Sequence, residues 1–379
     1  MSIFRNNNKV KRVLLVSFEY PVGKAYCGGV GQIVKLCHDI LKTSGYEVYV
    51  LITSHFHKKY PVKLLLPDDR LVNYKDFYSF QKDYKWNCFN YIIQHFVNWP
   101  QEFKRLKKQK GPRPYILYHF HSILRRERDS GFKTFNRFMI NQEKMIELSD
   151  KIICPSKYEY ENFTRYFPAF IDKVKLIENT IEVFPRDDKE VEKIKKIHSI
   201  KETDIVSIFV GRLERIKGAH ILIANLPTIL KRYRNLKVFI VGKSLERDIY
   251  KKLMRLKKKF KNQVFYKRYL NKDRLFQYYY SSDVYINSSL SESFSLSSYE
   301  NAYCNNALLL NKLPVFDNFK DSALFFSNHD SNGDGFLSKF DYLLKNKRLR
   351  NKLSKNSKKA LKKIISKSRI AEEFNKLLR

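Results

Sequence analysis

The sequence IVSIFVGRLERIKG occupies residues 205–218 and decides how the second half of the chain folds. A run of apolar residues ends at a short loop that carries Arg212 and Lys217. A buried strand followed by a tight turn produces this pattern. Residues 220–233 then place apolar side chains at helical spacing, and residues 236–241 form another apolar run. Strand, turn, helix and strand in this order predict a parallel α/β unit.

The first half of the chain shows the same order of elements. Residues 13–18 predict a buried strand, and a glycine-bearing loop follows them. The next helix places six apolar side chains at helical spacing: Val30, Ile33, Val34, Cys37, Ile40 and Leu41. Gly45 is positioned to end this helix, and residues 47–53 predict the second strand. The repetition predicts two doubly wound α/β domains facing a central cleft, with ligands beyond the carboxyl ends of the strands.

Residues 186–204 lie between the two halves, and they are highly charged with few large apolar side chains. A chain of 379 residues has the length of two domains of ordinary size. We therefore expect the domain boundary in this charged segment.

The net charge is strongly positive, with 74 Lys and Arg residues against 38 Asp and Glu residues, a balance of +36. Such a field attracts nucleic acid, anionic membranes and phosphorylated substrates. Lysine, asparagine, isoleucine, tyrosine and phenylalanine are abundant together, as a genome rich in A and T produces. The charge therefore leaves two partners open, which are nucleic acid and a peripheral contact with an anionic membrane.

The basic segment 103–110 is one candidate for such a contact, on the acceptor side or the membrane side, because Trp99, Phe103 and Leu106 are interleaved with its cations. No apolar run reaches the roughly 18 residues of a membrane span. The apolar run 13–18 is too short for the core of a signal peptide. These features predict a cytoplasmic protein, with peripheral membrane contact left open.

The cysteines predict neither a disulfide framework nor a structural zinc site, because they are far apart and lack CxxC or neighbouring histidine spacing. Reduced and mostly buried thiols are the expectation for all five: Cys27, Cys37, Cys88, Cys154 and Cys304. Residues 330–341 resemble an EF-hand calcium loop, but Asp341 replaces the bidentate glutamate and no second hand exists. The sequence therefore predicts no bound metal.

Two loops carry candidate anion-binding groups. Gly28, Gly29 and Gly31 lie where the first helix begins, and unpaired N–H groups at a helix start favour an anion. Arg212 and Lys217 emerge beyond a strand end, where a diphosphate would need positive charge. Arginine supplies a bidentate fork and lysine a mobile point charge.

Glu292 and Glu300 lie eight residues apart in SESFSLSSYE, residues 291–300. A helix from Ser298 onward would place Glu300 in its first turn and Glu292 in the preceding loop. Carboxylates in these positions can accept hydrogen bonds from sugar or ribose hydroxyls.

Together these segments resemble the retaining glycosyltransferases of the GT-B fold, a large family that includes glycogen synthase and sucrose synthase. The residues 91–99, YIIQHFVNW, are similar to the HAHDW segment of that family. The residues 210–218 match its GRL…KG motif, and residues 292–300 match its E-x7-E motif. Four further segments resemble the family in order: FEYPVGKAYCGGVG at 18–31, YILYHFHS at 115–122, SDKIICPS at 149–156 and IENTI at 177–181.

The resemblance implies two Rossmann-like domains, residues 1–185 on the acceptor side and 186–355 for the nucleotide sugar. It also implies a carboxyl-terminal helical segment, residues 356–379, that packs back toward the first domain. Implied functional residues are Arg212 and Lys217 for the diphosphate, Glu300 for the ribose, Glu292 for the donor sugar and His121 beside the transferred sugar. Further implied donor contacts are Gly28, Gly29, Gly31, Phe294, Ser295 and Leu296.

The implied reaction moves a hexose with retention from a nucleotide sugar, UDP-sugar by default, to a saccharide or lipid-linked saccharide acceptor. It requires neither a metal nor a cofactor. Several residues depart from the family pattern: Val97 and Asn98 in the HAHDW segment, and Thr180, Lys267, Ser295 and Asn305 at usual glycine positions. Two alternatives therefore stay open, a DNA-modifying glucosyltransferase of the same fold and a non-catalytic sugar-binding or scaffolding module.

Overall fold

The computed structural model describes residues 10–22, 27–53, 58–327, 335–361 and 366–378. The chain divides into two units, of which the first combines Met1–Thr180 with Ser366–Arg379 and the second is Ile181–Ile365. The calcium-loop pattern at 330–334 lies outside the described residues. Its last position, Asp341, is described and pairs with Arg232 and Lys345.

The first unit is built on an eight-stranded sheet whose strands are rich in apolar residues. The strands are β1 Arg12–Ser17, β2 Glu47–Thr53, β3 Val62–Leu65, β4 Leu71–Tyr74, β5 Tyr91–Gln94, β6 Tyr115–His119, β7 Lys151–Cys154 and β8 Val174–Leu176. Their order across the sheet is β4-β3-β2-β1-β5-β6-β7-β8. Strand β3 runs antiparallel to both β2 and β4, and the other neighbouring pairs of this sheet are parallel. The parallel core is buried on both faces, as a sheet covered by helices requires.

The helices in the first segment of this unit are α1 Gly29–Thr43, α2 Phe77–Asp83, α3 Pro100–Lys108, α4 Leu124–Asp129, α5 Asn136–Leu148 and α6 Lys157–Tyr166. The predicted apolar face of α1 is buried with the exception of Val30, whose neighbour Gly29 starts the helix. Gly45 has a φ of 89° and follows the last turn, as predicted.

The apolar residues near the basic segment 103–110 are part of the core, so the predicted surface contact loses its apolar component. Trp99, Phe103 and Leu106 are 6%, 0% and 1% exposed and belong to the hydrophobic core of the first unit. Helix α3 turns this apolar side inward and its lysines outward, because three- and four-residue spacings fall on one helix face. These three apolar residues therefore pack in the core, and a contact on the acceptor side or the membrane side through the cations of segment 103–110 stays a prediction.

The second unit is built on six parallel strands in the order β11-β10-β9-β12-β13-β14. The strands are β9 Ile205–Val210, β10 Leu236–Val241, β11 Val264–Lys267, β12 Val284–Asn287, β13 Ala307–Asn311 and β14 Ala323–Phe326. This is the strand order of a doubly wound sheet, whose two halves meet between β9 and β12, the first and fourth strands of this unit in the chain. The predicted α/β class and the predicted bounds of β9 and β10 are confirmed.

The remaining helices are α7 Asp188–Ile197, α8 Ala219–Arg232, α9 Arg247–Lys259, α10 Lys272–Tyr280, α11 Leu296–Tyr303, α12 Phe336–Lys345, α13 Lys347–Ala360 and α14 Lys367–Leu377. The segment 186–204, where the domain boundary was expected, lies inside the second unit, which begins at Ile181; helix α7 forms there and buries Val191 and Ile194. None of the helices in the described ranges is long and apolar enough to cross a bilayer.

Helix α14 belongs to the first unit, although the chain reaches it last. The carbonyl oxygen of Leu378 accepts hydrogen bonds from Lys11 Nζ and from the Tyr91 hydroxyl. The side chains of Ile370 and Phe374 are buried. The expected return segment 356–379 is shorter than predicted, because α13 lies in the second unit through Ala360.

Helix α11 ends in a Schellman motif at one of the positions where the resembled family has glycine. Asn305 has a φ of 63°. The Asn305 amide donates to the Ala302 carbonyl at 3.2 Å, and the Asn306 amide donates to the Asn301 carbonyl at 3.0 Å. Such a helix end needs a left-handed residue, and asparagine tolerates this conformation better than other residues with a Cβ.

We expect Asn305→Gly to leave the free energy of unfolding nearly unchanged and Asn305→Ala to lower it by about 1 kcal/mol. The exposed Asn351 in the interior of α13 is the matched control, because there alanine should be the more stable replacement by about 1 kcal/mol. Denaturant unfolding of the four variants measures both differences. Equal stability of the two variants at position 305 would contradict the assignment of the helix end.

Candidate active site

The strand order of the second sheet brings the ends of β9 and β12 side by side. These strands are neighbours although two other strands separate them in the chain, and Tyr285 pairs with Ile208 in parallel register. The connections leave this pair toward opposite sides, which opens a crevice beyond the carboxyl ends. Residues 211–218 follow β9 and residues 288–300 follow β12, so both predicted motifs of this unit lie at that edge.

Gly218 lets the two loops approach each other more closely than any side chain would allow. Its φ is 65°, and a Cβ atom there would lie 1.7 Å from the carbonyl oxygen of Ser288. The Ser288 hydroxyl donates to the Gly218 carbonyl at 2.9 Å. The Leu290 amide donates to the Ile216 carbonyl at 2.8 Å. This backbone contact fixes where the neighbouring Lys217 emerges.

Lys217 and Glu292 form an ion pair across the two loops. The distance from Lys217 Nζ to Glu292 Oε2 is 2.8 Å, and the side chains are 23% and 9% exposed. The Ser289 hydroxyl donates to the other carboxylate oxygen of Glu292 at 2.8 Å. The carboxylate is thus held in one orientation, and the lysine ammonium is held with it.

Arg212 is more exposed than Lys217. Its side chain is 47% exposed, and one guanidinium nitrogen lies 2.9 Å from Glu214 Oε1. Both predicted cations of the loop therefore have a carboxylate partner, and an incoming diphosphate would compete with Glu214 and Glu292 for them. A pair this exposed is weak, so Arg212 exchanges its partner at little cost.

Glu300 is 2% exposed and lies in α11. The Tyr279 hydroxyl donates to its Oε2 at 3.0 Å, and Lys272 Nζ pairs with its Oε1. Sequence analysis did not identify Lys272 or Tyr279, which lie on the preceding helix α10. Each carboxylate oxygen has a second acceptor position, so Glu300 retains the capacity to accept a ligand hydroxyl.

The loop before α11 offers backbone groups instead of side chains. Phe294 is buried and stacks on Tyr299 with ring centroids 4.3 Å apart. Ser295 has a φ of 69°, and its hydroxyl contacts Asn287 Nδ2 at 3.0 Å and Ser298 Oγ at 2.9 Å. These bonds offset the strain of a left-handed serine where the resembled family has glycine. Leu296 is the first residue of α11, whose amino-terminal N–H groups lack intrahelical acceptors.

The predicted glycines of the first unit begin α1, but a carboxylate of the same unit contacts their amides. Glu19 Oε2 accepts the Gly28 amide at 3.1 Å and the Gly31 amide at 3.4 Å. Gly29 is the first residue of the helix. The positive end of the helix therefore has Glu19 as its partner, and donor binding by these glycines stays a prediction. A diphosphate at these two amides would have to displace Glu19, which sequence analysis did not foresee.

His121 lies in a group of three histidine rings beyond β5 and β6. Its Nε2 is 3.2 Å from His95 Nδ1, and the ring centroids of His119 and His121 are 4.9 Å apart. Burial lowers the pKa of His121 to about 3. Burial also lowers the pKa of His95, with a further contribution from the other two rings. The three rings are therefore neutral at physiological pH.

One side-chain group in the described part of the chain has the composition of a metal site. The ligand atoms of Cys37, His95 and His119 all lie within 4.8 Å of one another, and all three residues are buried. Burial raises the pKa of the Cys37 thiol to about 12, so the thiol is protonated when nothing binds it. Cysteine spacing in the sequence could not identify this group, because its members are far apart along the chain. Cys37 lies on α1, His95 after β5 and His119 within β6.

Comparison with known sequences agrees with this geometry. A family profile described as "Glycosyl transferases group 1" matches residues 190–360, most of the second unit. The spore coat protein SA of Bacillus subtilis (strain 168) is 24% identical over 160 residues. This match covers 40% of the present chain and 39% of that protein, so the chain aligns with about two fifths of this curated relative.

Comparison with solved structures covers nearly the whole chain. Sucrose-phosphate synthase from Thermosynechococcus elongatus superposes with a TM-score of 0.76 at 15% identity, over 97% of this chain and 98% of that one. Anabaena HepE, solved in complex with UDP and glucose, superposes with a TM-score of 0.69 at 14% identity, over 97% and 99%. At these identities the similarity establishes the fold. This chain therefore has the GT-B fold and is similar, over residues 190–360, to the family described as glycosyl transferases group 1.

Proposed function

We propose that this protein is a retaining glycosyltransferase that moves a hexose from a nucleotide sugar to a saccharide or lipid-linked saccharide acceptor. The observation that carries the proposal is the Lys217–Glu292 ion pair at the switch point of the second sheet. The match of residues 190–360 to group 1 transferases supports it. The complex of Anabaena HepE with UDP and glucose supports UDP-sugar as the first donor to test.

The proposed chemistry depends on charge that develops on the leaving diphosphate. When the bond between the anomeric carbon and the phosphate oxygen breaks, the electron pair remains on the diphosphate. Arg212 and Lys217 would neutralise it, and fixed cations stabilise such a transition state because they need no reorganisation. Charge neutralisation by these two side chains requires no metal in the transfer step.

The remaining residues have proposed roles in binding. Glu300, fixed by Tyr279, would accept hydrogen bonds from the ribose, and Glu292 would accept them from the donor sugar. The amino-terminal N–H groups of α11, from Leu296 onward, suit the diphosphate. His121, neutral at physiological pH, would lie beside the transferred sugar. The same proposal includes a lipid-linked saccharide as one class of acceptor and a peripheral position of the protein at an anionic membrane.

We expect purified protein to release nucleotide from one donor of a panel of UDP-, GDP- and ADP-sugars. Arg212→Ala and Glu300→Ala should each lower turnover by about 100-fold or more, because each removes a contact to the donor. Arg215→Ala is the matched control, since Arg215 is an exposed arginine of the same loop that pairs with Asp248. A coupled assay measures nucleotide release by the wild-type protein and by the three variants.

Two outcomes would overturn the proposal. One is the absence of nucleotide release and of any donor-induced thermal shift, which would favour the non-catalytic module. The other is a loss in Arg215→Ala as large as that in Arg212→Ala, since this would assign the effect to the general charge of the loop.

A second prediction separates the role of Lys217 in stability from its role in turnover. Lys217→Met should lower the free energy of unfolding by about 2 kcal/mol, because it leaves the largely buried Glu292 carboxylate unpaired. The double variant Lys217→Met/Glu292→Gln should regain most of that stability, because the unpaired charge is gone. Thermal unfolding and nucleotide release are measured on both variants.

The double variant should remain as inactive as Lys217→Met, since the cation for the diphosphate is absent from both. Recovery of turnover together with stability would show that Lys217 acts only on the fold of the loop.

A further inference from the structure

The first unit contains a cysteine and two histidines that three separate elements bring together. Cys37 lies on α1, His95 directly follows β5, and His119 is the last residue of β6. The three side chains are 4%, 1% and 2% exposed. The Cys37 Sγ atom lies 4.0 Å from His119 Nδ1, and the ring centroids of His95 and His119 are 4.9 Å apart.

The buried imidazoles of this group have unused hydrogen-bonding capacity. Among the described residues, His95 Nε2 and His119 Nε2 have no hydrogen-bond partner although both atoms are buried. An unpaired polar atom in the interior costs about 1–3 kcal/mol. A cation bound by His95 Nε2 would remove this cost at that atom, and His119 faces Cys37 Sγ with its other ring nitrogen, Nδ1.

We propose that Cys37, His95 and His119 form a binding site for one divalent transition-metal ion of the zinc class. A thiolate with neutral imidazoles is the donor set that such a borderline-soft cation prefers. Three protein ligands leave a fourth position for water or another group, as in open zinc sites. Coordination would displace the proton of the Cys37 thiol.

The observed distances are close to those that coordination needs. Tetrahedral bonds of about 2.3 Å to sulfur and 2.0 Å to nitrogen place these atoms about 3.5 Å apart. The ligand atoms of the group lie within 4.8 Å of one another. On coordination the longest distance between them would shorten by about 1 Å through rotation of the side chains. The three residues belong to the same unit of the chain.

The metal would also determine the hydrogen bonding of His121. With Nε2 of His95 bound to the cation, the His95 proton must be on Nδ1, which then donates to His121 Nε2. Metal ligands commonly orient a neighbouring group through their second ring nitrogen. The cation therefore acts on the orientation of His121 and takes no part in the transfer step.

The test uses tag-free protein that a chelator has stripped of metal, with Co²⁺ as the probe. Titration should saturate at one cobalt per chain, with a near-ultraviolet band from thiolate-to-cobalt charge transfer. Cys37→Ala should abolish this band, and His119→Gln should weaken binding by about 100-fold or more. Cys154→Ala is the matched control, because Cys154 is an equally buried thiol on β7 of the same unit and should keep the band.

Zn²⁺ should raise the thermal midpoint of the wild-type protein and of Cys154→Ala, and should leave His119→Gln unchanged. Circular dichroism checks that each variant is folded. If Cys37→Ala or His119→Gln does not fold, His95→Asn is measured in its place. The proposal is overturned if folded wild-type protein binds no cobalt, or if Cys37→Ala and His119→Gln keep the band. These readouts do not involve glycosyl transfer, so they stand or fall independently of the proposed function.

Discussion

The candidate site of the second unit depends on how closely two loops approach at the ends of β9 and β12. A Cβ atom at Gly218 would overlap the Ser288 carbonyl, and one at Gly242 would lie 1.8 Å from the Gly211 carbonyl. Backbone therefore packs on backbone around the whole turn, which leaves the side chains between these contacts few alternative positions. The ion pair of Lys217 with Glu292 is a result of this packing, since it joins the two loops that Gly218 allows to meet.

Electrostatic balance is the second constraint on the site. Three cations of the candidate site are each next to a carboxylate: Arg212 and Glu214, Lys217 and Glu292, Lys272 and Glu300. In the first unit the positive end of α1 has Glu19 as its partner. A protein of net charge +36 thus keeps these groups locally neutral. An anionic ligand would replace these carboxylates as the partner of the cations. Its binding free energy is then the difference between the cation–ligand pairs and the cation–carboxylate pairs.

The sequence predicted those features that depend on local patterns. Strand β9, the loop cations and the spacing of Glu292 and Glu300 were all readable because apolar periodicity and strand ends are local properties. Contacts that depend on tertiary packing were not readable. Lys272 and Tyr279 reach Glu300 from another helix, and Glu19 folds back onto the α1 amides. Trp99 precedes α3 with a left-handed φ of 53° and is buried in the core, and helix propensity does not predict either feature.

The place of α14 in the first unit has a consequence for the order in which the chain is synthesised. The second unit is one continuous segment, whereas the first unit closes only when residues after it have left the ribosome. Until then the surface that Ile370 and Phe374 cover is open to water, and the helix α1 lacks a neighbour. Long-range contacts of this kind form late. The nascent first unit therefore leaves this apolar patch uncovered while the second unit is translated, and exposed apolar surface of this kind makes a folding chain prone to aggregation.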